Sequence, residues 1–242
     1  QRMKTKVLGK KSNKSNISGK EYLDSIPRIS TNIKHGIDIW NVYDFMFKNN
    51  KGVPHLKVLE IIIPSNSKFI VESKSMKLYL NSFYDIAFSH HSAILKKIKH
   101  DLKLLIKDEV ELKFLNRFSV EPKNINLNQS RTKTIKGGNI IKFNGFRSIC
   151  PVTSQPDFAN IYIYSSDSLS RDWLLSYLTS FKDHGDFHEQ CIESIFNTIL
   201  TRFNPKHLEI AGRFQRRGGI DINPVRGTHK KFLFKNFREF NQ

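Results

Sequence analysis

The spacing of apolar positions changes period several times along the chain. Residues 56–64 alternate and end in a β-branched run, which predicts a strand, with a neighbouring strand at 68–73. From 82 to 106 the spacing becomes helical. Ile94, Ile98, Leu102 and Leu105 line one face, with Lys96, Lys97, Lys99 and Lys103 elsewhere. Val110, Leu112 and Phe114 alternate again, as a strand does. The stretch 121–138, with Pro122, several asparagines and Gly137-Gly138, has no period and reads as a linker. The order then repeats. A short strand at 159–164 precedes a helix marked by Trp173, Tyr177 and Phe181 and a second marked by Phe187, Cys191, Ile195, Ile199 and Phe203. Strands at 208–214 and 220–222 flank Arg216-Arg217-Gly218-Gly219, a hairpin signature.

Two successive units that each run strands, helices, strands predict an α+β protein, with antiparallel sheets and helices packed on one face. The boundaries read from the pattern are a basic irregular segment at 1–35, a first module at 36–117, a linker-like segment at 118–138 and a second module at 139–242. The two halves share the pattern without residue-level identity.

Composition narrows the classes. A chain of 242 residues holds one large or two small domains, and 38% hydrophobic content with 12 glycines excludes disordered and collagen-like chains. No apolar run approaches the ~18 residues that a membrane helix needs, and no leader pattern opens the sequence, so a cytoplasmic protein is expected. The two cysteines, Cys150 and Cys191, make neither a disulfide framework nor a zinc-binding pair. Forty basic against 22 acidic residues give +18, which suits a polyanion or a phosphorylated ligand. The excess is spread along a chain rich in Lys, Asn, Ile and Phe, as A/T-rich codons produce. Charge alone therefore leaves the partner open.

Four constellations carry candidate chemistry. In Val71-Glu72-Ser73-Lys74-Ser75-Met76-Lys77, a carboxylate, hydroxyls and lysines converge where a strand gives way to a helix. Free backbone N–H groups and positive side chains there can hold phosphate, and the bland alternative is a polar turn before a Ser-capped helix. In Cys150-Pro151-Val152-Thr153-Ser154-Gln155-Pro156-Asp157, two prolines stiffen a loop that presents a thiol with a carboxylate seven residues on. That pairing suits a nucleophile with a proton-transfer partner, against the alternative of a buried apolar cysteine. Asp186-Phe187-His188-Glu189 opens an amphipathic helix. Asp186 and Glu189 have capping-box spacing, yet a carboxylate on the first turn also fits the N–H/NH₂ edge of a guanine-like base. Last, Arg213, Arg216 and Arg217 surround a Gly-Gly turn before Ile220-Asp221-Ile222-Asn223-Pro224, either a phosphate grip or a solvated basic hairpin.

In this order and at these spacings the four motifs resemble the NADPH-dependent 7-cyano-7-deazaguanine reductases, the nitrile reductases of queuosine biosynthesis. The residues concerned are 72–83, 150–157, 187–191 and 216–224. Asp38-Ile39-Trp40-Asn41 and Gly52-x-Pro54 are similar to the longer, two-module branch. Similarity covers most of 36–226, and Phe158 stands where Trp is usual. The resemblance implies two tandem tunnelling-fold modules, a catalytic Cys150 in the second, and an active site between the modules. It also implies reduction of a small-molecule nitrile to a primary amine by two hydrides from NADPH, with no metal.

Residue by residue, the resemblance implies that Cys150 attacks the nitrile carbon to give a covalent thioimide and that Asp157 donates and accepts protons. It gives Val71, Glu72, Ser73, His188 and Glu189 to the deazaguanine, and Ser73, Lys74, Arg217 and Gly218 to NADPH. A homodimer is implied, with nucleic acid not required. The competing expectations are another purine- or pterin-binding enzyme of the same fold, such as a GTP cyclohydrolase, and, in a different class, a basic RNA-binding module.

Overall fold

The computed structural model describes residues 19–29 and 33–242. Its compact units are two. Among the described residues, the first takes 19–29, 40–116 and 217–220, and the second takes 33–39, 117–216 and 221–242. Most of the segment read as basic and irregular, residues 1–18, lies outside the described residues. The part that is described is not irregular: a 3-10 turn (Gly19–Tyr22) leads into strand β1 (Ser25–Pro27).

The first unit contains β2 (His35–Lys48, from Trp40 on), β3 (Pro54–Pro64) and β5 (Glu111–Leu115), ordered β5-β3-β2, and the two-stranded sheet of β1 with β4 (Phe69–Val71). The expected pairing of the 56–64 and 68–73 strands is corrected here: β4 pairs antiparallel with β1, Ile26 opposite Ile70, and β3 pairs with β5. Two helices follow, α1 (Ser73–Asn81) and α2 (His91–Ile106). The helix read across 82–106 thus begins nine residues late, at His91, because Ser82 ends α1 by folding its N–H back onto the Leu78 carbonyl. Ile94, Ile98 and Leu102 are buried on one face of α2, as their spacing requires, but the last turn buries Ile106 and leaves the expected Leu105 only half-buried. Phe45, Phe83 and Tyr79 pack in succession, the first pair tilted and the second edge-on, with centroids 5.8 and 5.2 Å apart.

The second unit holds β6 (Ile125–Asn126), β7 (Thr134–Ile135), β8 (Ile140–Ile149), β9 (Pro156–Ser165), β10 (Leu169–Ser170), α3 (Arg171–Thr179), α4 (His188–Phe203), β11 (Leu208–Phe214) and β12 (Ile220–Gly227, from Asp221 on). Its main sheet is ordered β12-β11-β9-β8-β6, antiparallel in the β11–β12, β9–β11 and β8–β9 pairs and parallel between β6 and β8. Residues 118–138, read as linker-like, belong to this unit. Leu127 and Ile135 are buried in its core although the local sequence has no period. Strand β8 was not legible either.

Period-two alternation decides what each face of this sheet covers. Ile161, Ile163, Ile210 and Phe214 point to the side of α3 and α4, where they meet Leu174, Leu178, Ile192, Ile195 and Ile199. Tyr162, Ala211 and Val225 point the other way, onto Phe234 and Phe237 of the segment 228–242. That segment is tied down by charge as well as apolar contact: the Glu209 carboxylate accepts the N–H groups of Leu233 (2.8 Å) and Phe234 (2.7 Å). Arg226, fully buried on β12, lies between the carboxylates of Asp38 (2.8 Å) and Glu193 of α4 (2.7 Å). Among the described residues, no helix is long and apolar enough to cross a membrane.

Candidate active site

Glu72 ends β4 and caps α1. Its side chain accepts the backbone N–H of Lys74 (2.7 Å) and of Ser75 (2.8 Å). The cap is therefore a carboxylate rather than the expected serine. Glu72 is buried, and burial raises its pKa although the two N–H bonds oppose the rise. Val71 is buried beside it, while Ser73 and Lys74 are partly exposed on the first helical turn. The same unit contains Arg217 and Gly218. Arg217 and Ile220 form a β-bridge across Gly218 and Gly219, whose φ values are +57° and +78°. Glycine is needed at this turn. A Cβ on Gly219 would fall 2.2 Å from an Asp44 carboxylate oxygen, and one on Gly218 would meet Lys77 Nζ at 3.3 Å. The turn thus approaches the lysine face of α1, within one unit, from the far end of the sequence.

The second unit contains the thiol. Strands β8 and β9 form a hairpin with Ile149 opposite Pro156 and Ser148 opposite Asp157. Cys150 leaves β8 at the base of the connecting loop. Its N–H donates to the Gln155 carbonyl (2.9 Å), and its own carbonyl accepts from Ser154 N–H (3.0 Å). The side chain is partly exposed, in contrast to Cys191, which is fully buried in the core. Burial pushes the Cys191 thiol up to about 12, with Asp186, Asp157 and Glu189 adding to the rise.

Asp157 is buried on β9, and its Oδ1 lies 3.3 Å from His188 Nε2. His188 is the first residue of α4. Its ring lies parallel to that of Phe214, with centroids 3.9 Å apart and planes 6° from parallel. Its Nδ1 is buried, and no hydrogen-bond partner for it occurs among the described residues.

The expected Asp186–Glu189 capping box is corrected. Phe187 occupies the cap position, and it is the Gln190 side chain that accepts the Phe187 N–H, at 3.2 Å. Glu189 lies buried on the first turn. The capping explanation for this carboxylate therefore falls away, because the residue next to it does that work.

The arginine cluster is also corrected. Arg213 is buried on β11 in the second unit, its guanidinium 4.1 Å over the Phe237 ring and donating to the Lys235 carbonyl. It is not part of the glycine turn, which carries Arg216 before it and Arg217 within it. Three features escaped the sequence reading. Lys77, to which the motif assigns no role, stands beside Gly218. Phe214 proves to be the stacking partner of His188. Ser148 is buried directly across the strands from Asp157. The signal for Ser148 was its two-residue distance from Cys150 on an alternating strand, and for Phe214 there was none.

The geometry gives one unit a positive-φ glycine turn beside Lys77 and a buried carboxylate at the start of α1. The other has a partly exposed thiol on the same hairpin as a carboxylate–imidazole pair. Residues 18–114 match the family model described as nitrile reductase, 7-cyano-7-deazaguanine-reductase N-term, and residues 156–232 match a QueF-like protein model. The NADPH-dependent 7-cyano-7-deazaguanine reductase of Coxiella burnetii (strain Dugway 5J108-111) is 34% identical over 233 residues, covering 86% of this chain and 82% of the relative. The proteins of the same name from Buchnera aphidicola subsp. Schizaphis graminum and Desulfotalea psychrophila are each 36% identical, over 219 and 231 residues. The alignments cover 80% and 84% of this chain, and 82% of each relative. With motifs, modules and overall identity in accord, the chain belongs to the family of NADPH-dependent 7-cyano-7-deazaguanine reductases.

Proposed function

We propose that this protein reduces the nitrile of 7-cyano-7-deazaguanine to the primary amine of 7-aminomethyl-7-deazaguanine, a step of queuosine tRNA modification. The observation that supports it most is the β8–β9 hairpin, which has Cys150 at its loop and Asp157 on its second strand, the latter against His188. The reduction takes up two hydrides and two protons. NADPH, when bound, supplies the hydrides. The Cys150 sulfur adds to the nitrile carbon while the nitrogen gains a proton, giving a thioimide, and the S–C bond breaks again after the carbon has been reduced once. Addition of a thiol turns an inert triple bond into an imine-like acceptor, so one hard step becomes easier ones. Asp157 passes protons to the nitrogen, and its contact with His188 keeps the carboxylate oriented.

Val71, Glu72, Ser73, His188 and Glu189 bind the deazaguanine, the two glutamates accepting from its N–H groups. Ser73, Lys74, Arg217 and Gly218 bind the phosphates of NADPH. The residues fit that role because the positive-φ turn and Lys77 bring backbone and ammonium donors together. The protein acts as a cytoplasmic homodimer in this reading, which rests on the family resemblance.

The test follows NADPH absorbance with and without the nitrile. Cys150→Ala should abolish turnover, and wild-type protein given nitrile alone should gain the substrate's mass on Cys150. An adduct on Cys191, or a Cys150→Ala protein with near-normal turnover, overturns the mechanism.

A further inference from the structure

We propose that Gln242 is a positioning residue for the reaction. With Asn223 it holds both backbone polar groups of Phe214, the ring on which His188 lies against Asp157. The inference rests on the function proposed above.

The argument begins with His188. A histidine ring in an active site is usually aimed by a hydrogen bond at the nitrogen that does not work. Here Nε2 faces Asp157 and Nδ1 is buried without a partner among the described residues. What orients the ring is therefore the parallel stack on Phe214, together with Asp157 itself. An aromatic stack fixes the plane of a ring well, but only as well as the lower ring is itself fixed.

Phe214 ends β11 opposite Ala159, and Gln215 after it still donates to the Phe158 carbonyl at 2.9 Å, so the polar groups of Phe214 itself face away from β9. Its N–H donates to Asn223 Oδ1 at 3.2 Å. Its carbonyl accepts from Gln242 Nε2 at 3.1 Å, and the same amide donates to Asn223 Oδ1 at 2.8 Å. Gln242 Oε1 accepts the Glu239 N–H at 2.9 Å, so all three of these bonds hold the side chain in one pose. Both amides are buried: Asn223 is 0% and Gln242 5% exposed.

The 228–242 segment does not depend on this side chain for its attachment. Glu209 holds Leu233 and Phe234, and Arg213 covers Phe237. Glu239 shares the Tyr162 hydroxyl with Glu121 and accepts from Lys142 (2.7 Å). The local consequence of losing the Gln242 amide is then a freer Phe214, and a free Phe214 loosens His188 from Asp157. A misplacement of about 1 Å at a reacting group costs up to ~10²-fold in rate.

The experiment uses the full chain carrying Gln242→Ala, Phe214→Leu, or both. Nuclear magnetic resonance of the ligand-free protein reads the His188 ring C–H signals, which the Phe214 ring current displaces upfield. In Gln242→Ala they should move toward their unstacked positions, and kcat should fall about 10- to 100-fold with the KM for NADPH changed less than about twofold. Adding Gln242→Ala to Phe214→Leu should lower kcat little further, because both act through one ring. Gln242→Ala with unmoved His188 signals, or with effects that multiply in the double variant, overturns the proposal. If the wild type fails to oxidise NADPH with the nitrile, the function proposed above fails, while the His188 signals still decide the positioning role.

Discussion

Arg226 offers the sharpest test of how the second unit holds its helix. The guanidinium donates from Nε and Nη2 to Glu193 Oε1 (3.1 and 2.7 Å) and from Nη1 to the carbonyls of Ile37 and Val225, both at 3.0 Å. Nη1 also lies 2.8 Å from Asp38. Burial alone would lower the arginine pKa, but Asp38 and Glu193 outweigh it and hold the pKa above the ordinary value. Arg226→Met keeps the volume and removes the charge, so the buried carboxylates of Asp38 and Glu193 lose the guanidinium between them. Breaking a buried pair in this way costs about 3–5 kcal/mol. Since Glu193 sits one turn after Glu189 on α4, the loss should appear first in that helix. Hydrogen exchange of α4 amides should speed up by roughly 10²–10⁴-fold, the same free energy read as a ratio.

The pH dependence has a definite sign. An uncompensated buried carboxylate has its folded pKa raised, so the variant's deficit is full at neutral pH and shrinks as pH falls and the acids are protonated. A triple variant with apolar residues at 38, 193 and 226 should recover most of the loss. Exchange in Arg226→Met unchanged within about threefold, or a triple variant as damaged as the single one, would refute the reasoning.

Three further outcomes are expected. Asp157→Asn should slow turnover by about 10²–10⁴-fold and leave substrate binding largely intact, as single-turnover measurements will report; a main effect on binding would make Asp157 a recognition residue. Because it is the Gln190 side chain that accepts the Phe187 N–H, Glu189→Gln should leave that cap of α4 in place. It should weaken nitrile binding by about 1–3 kcal/mol, roughly 5- to 150-fold by calorimetry, and unchanged affinity would remove Glu189 from the site. With its thiol pushed up to about 12, Cys191 stays protonated in mildly alkaline buffer. Peptide mapping after iodoacetamide treatment at about pH 8 should then find the label on Cys150 alone, and a labelled Cys191 in the folded protein would contradict its burial.

Much of this was legible in the sequence, for reasons that differ by element. The faces of α2 and α4 were readable because one apolar stripe had to meet one core, and the spacing of Ile94, Ile98 and Leu102 encodes that demand. The strand at 140–149 was not. Its inward residues, Ile141, Phe143 and Phe146, lose the even spacing across Gly145, where the pairing with β9 shifts register. Residues 118–138 are aperiodic because their strands, β6 and β7, are only two residues long, too short for an alternation to show. At the candidate site, residue types and order pointed to Cys150, Asp157, His188 and Glu189. What they concealed were relations between distant stretches: Phe214 under His188, Lys77 beside Gly218, and Arg213 over the Phe237 ring.

The way the chain is apportioned has a bearing on how such a protein can be divided. Residues 217–220 belong to the first unit, yet more than a hundred residues of the second precede them in the sequence. A cut after residue 116 would separate the lysine-bearing helix α1 from the Gly218-Gly219 turn, and the amino-terminal fragment would lack the backbone that accommodates Asp44. The two halves are therefore not interchangeable cassettes. Gene fragments split at that point should yield soluble material only when expressed together, and recombining one half with that of a relative requires the turn to be carried across with the first half.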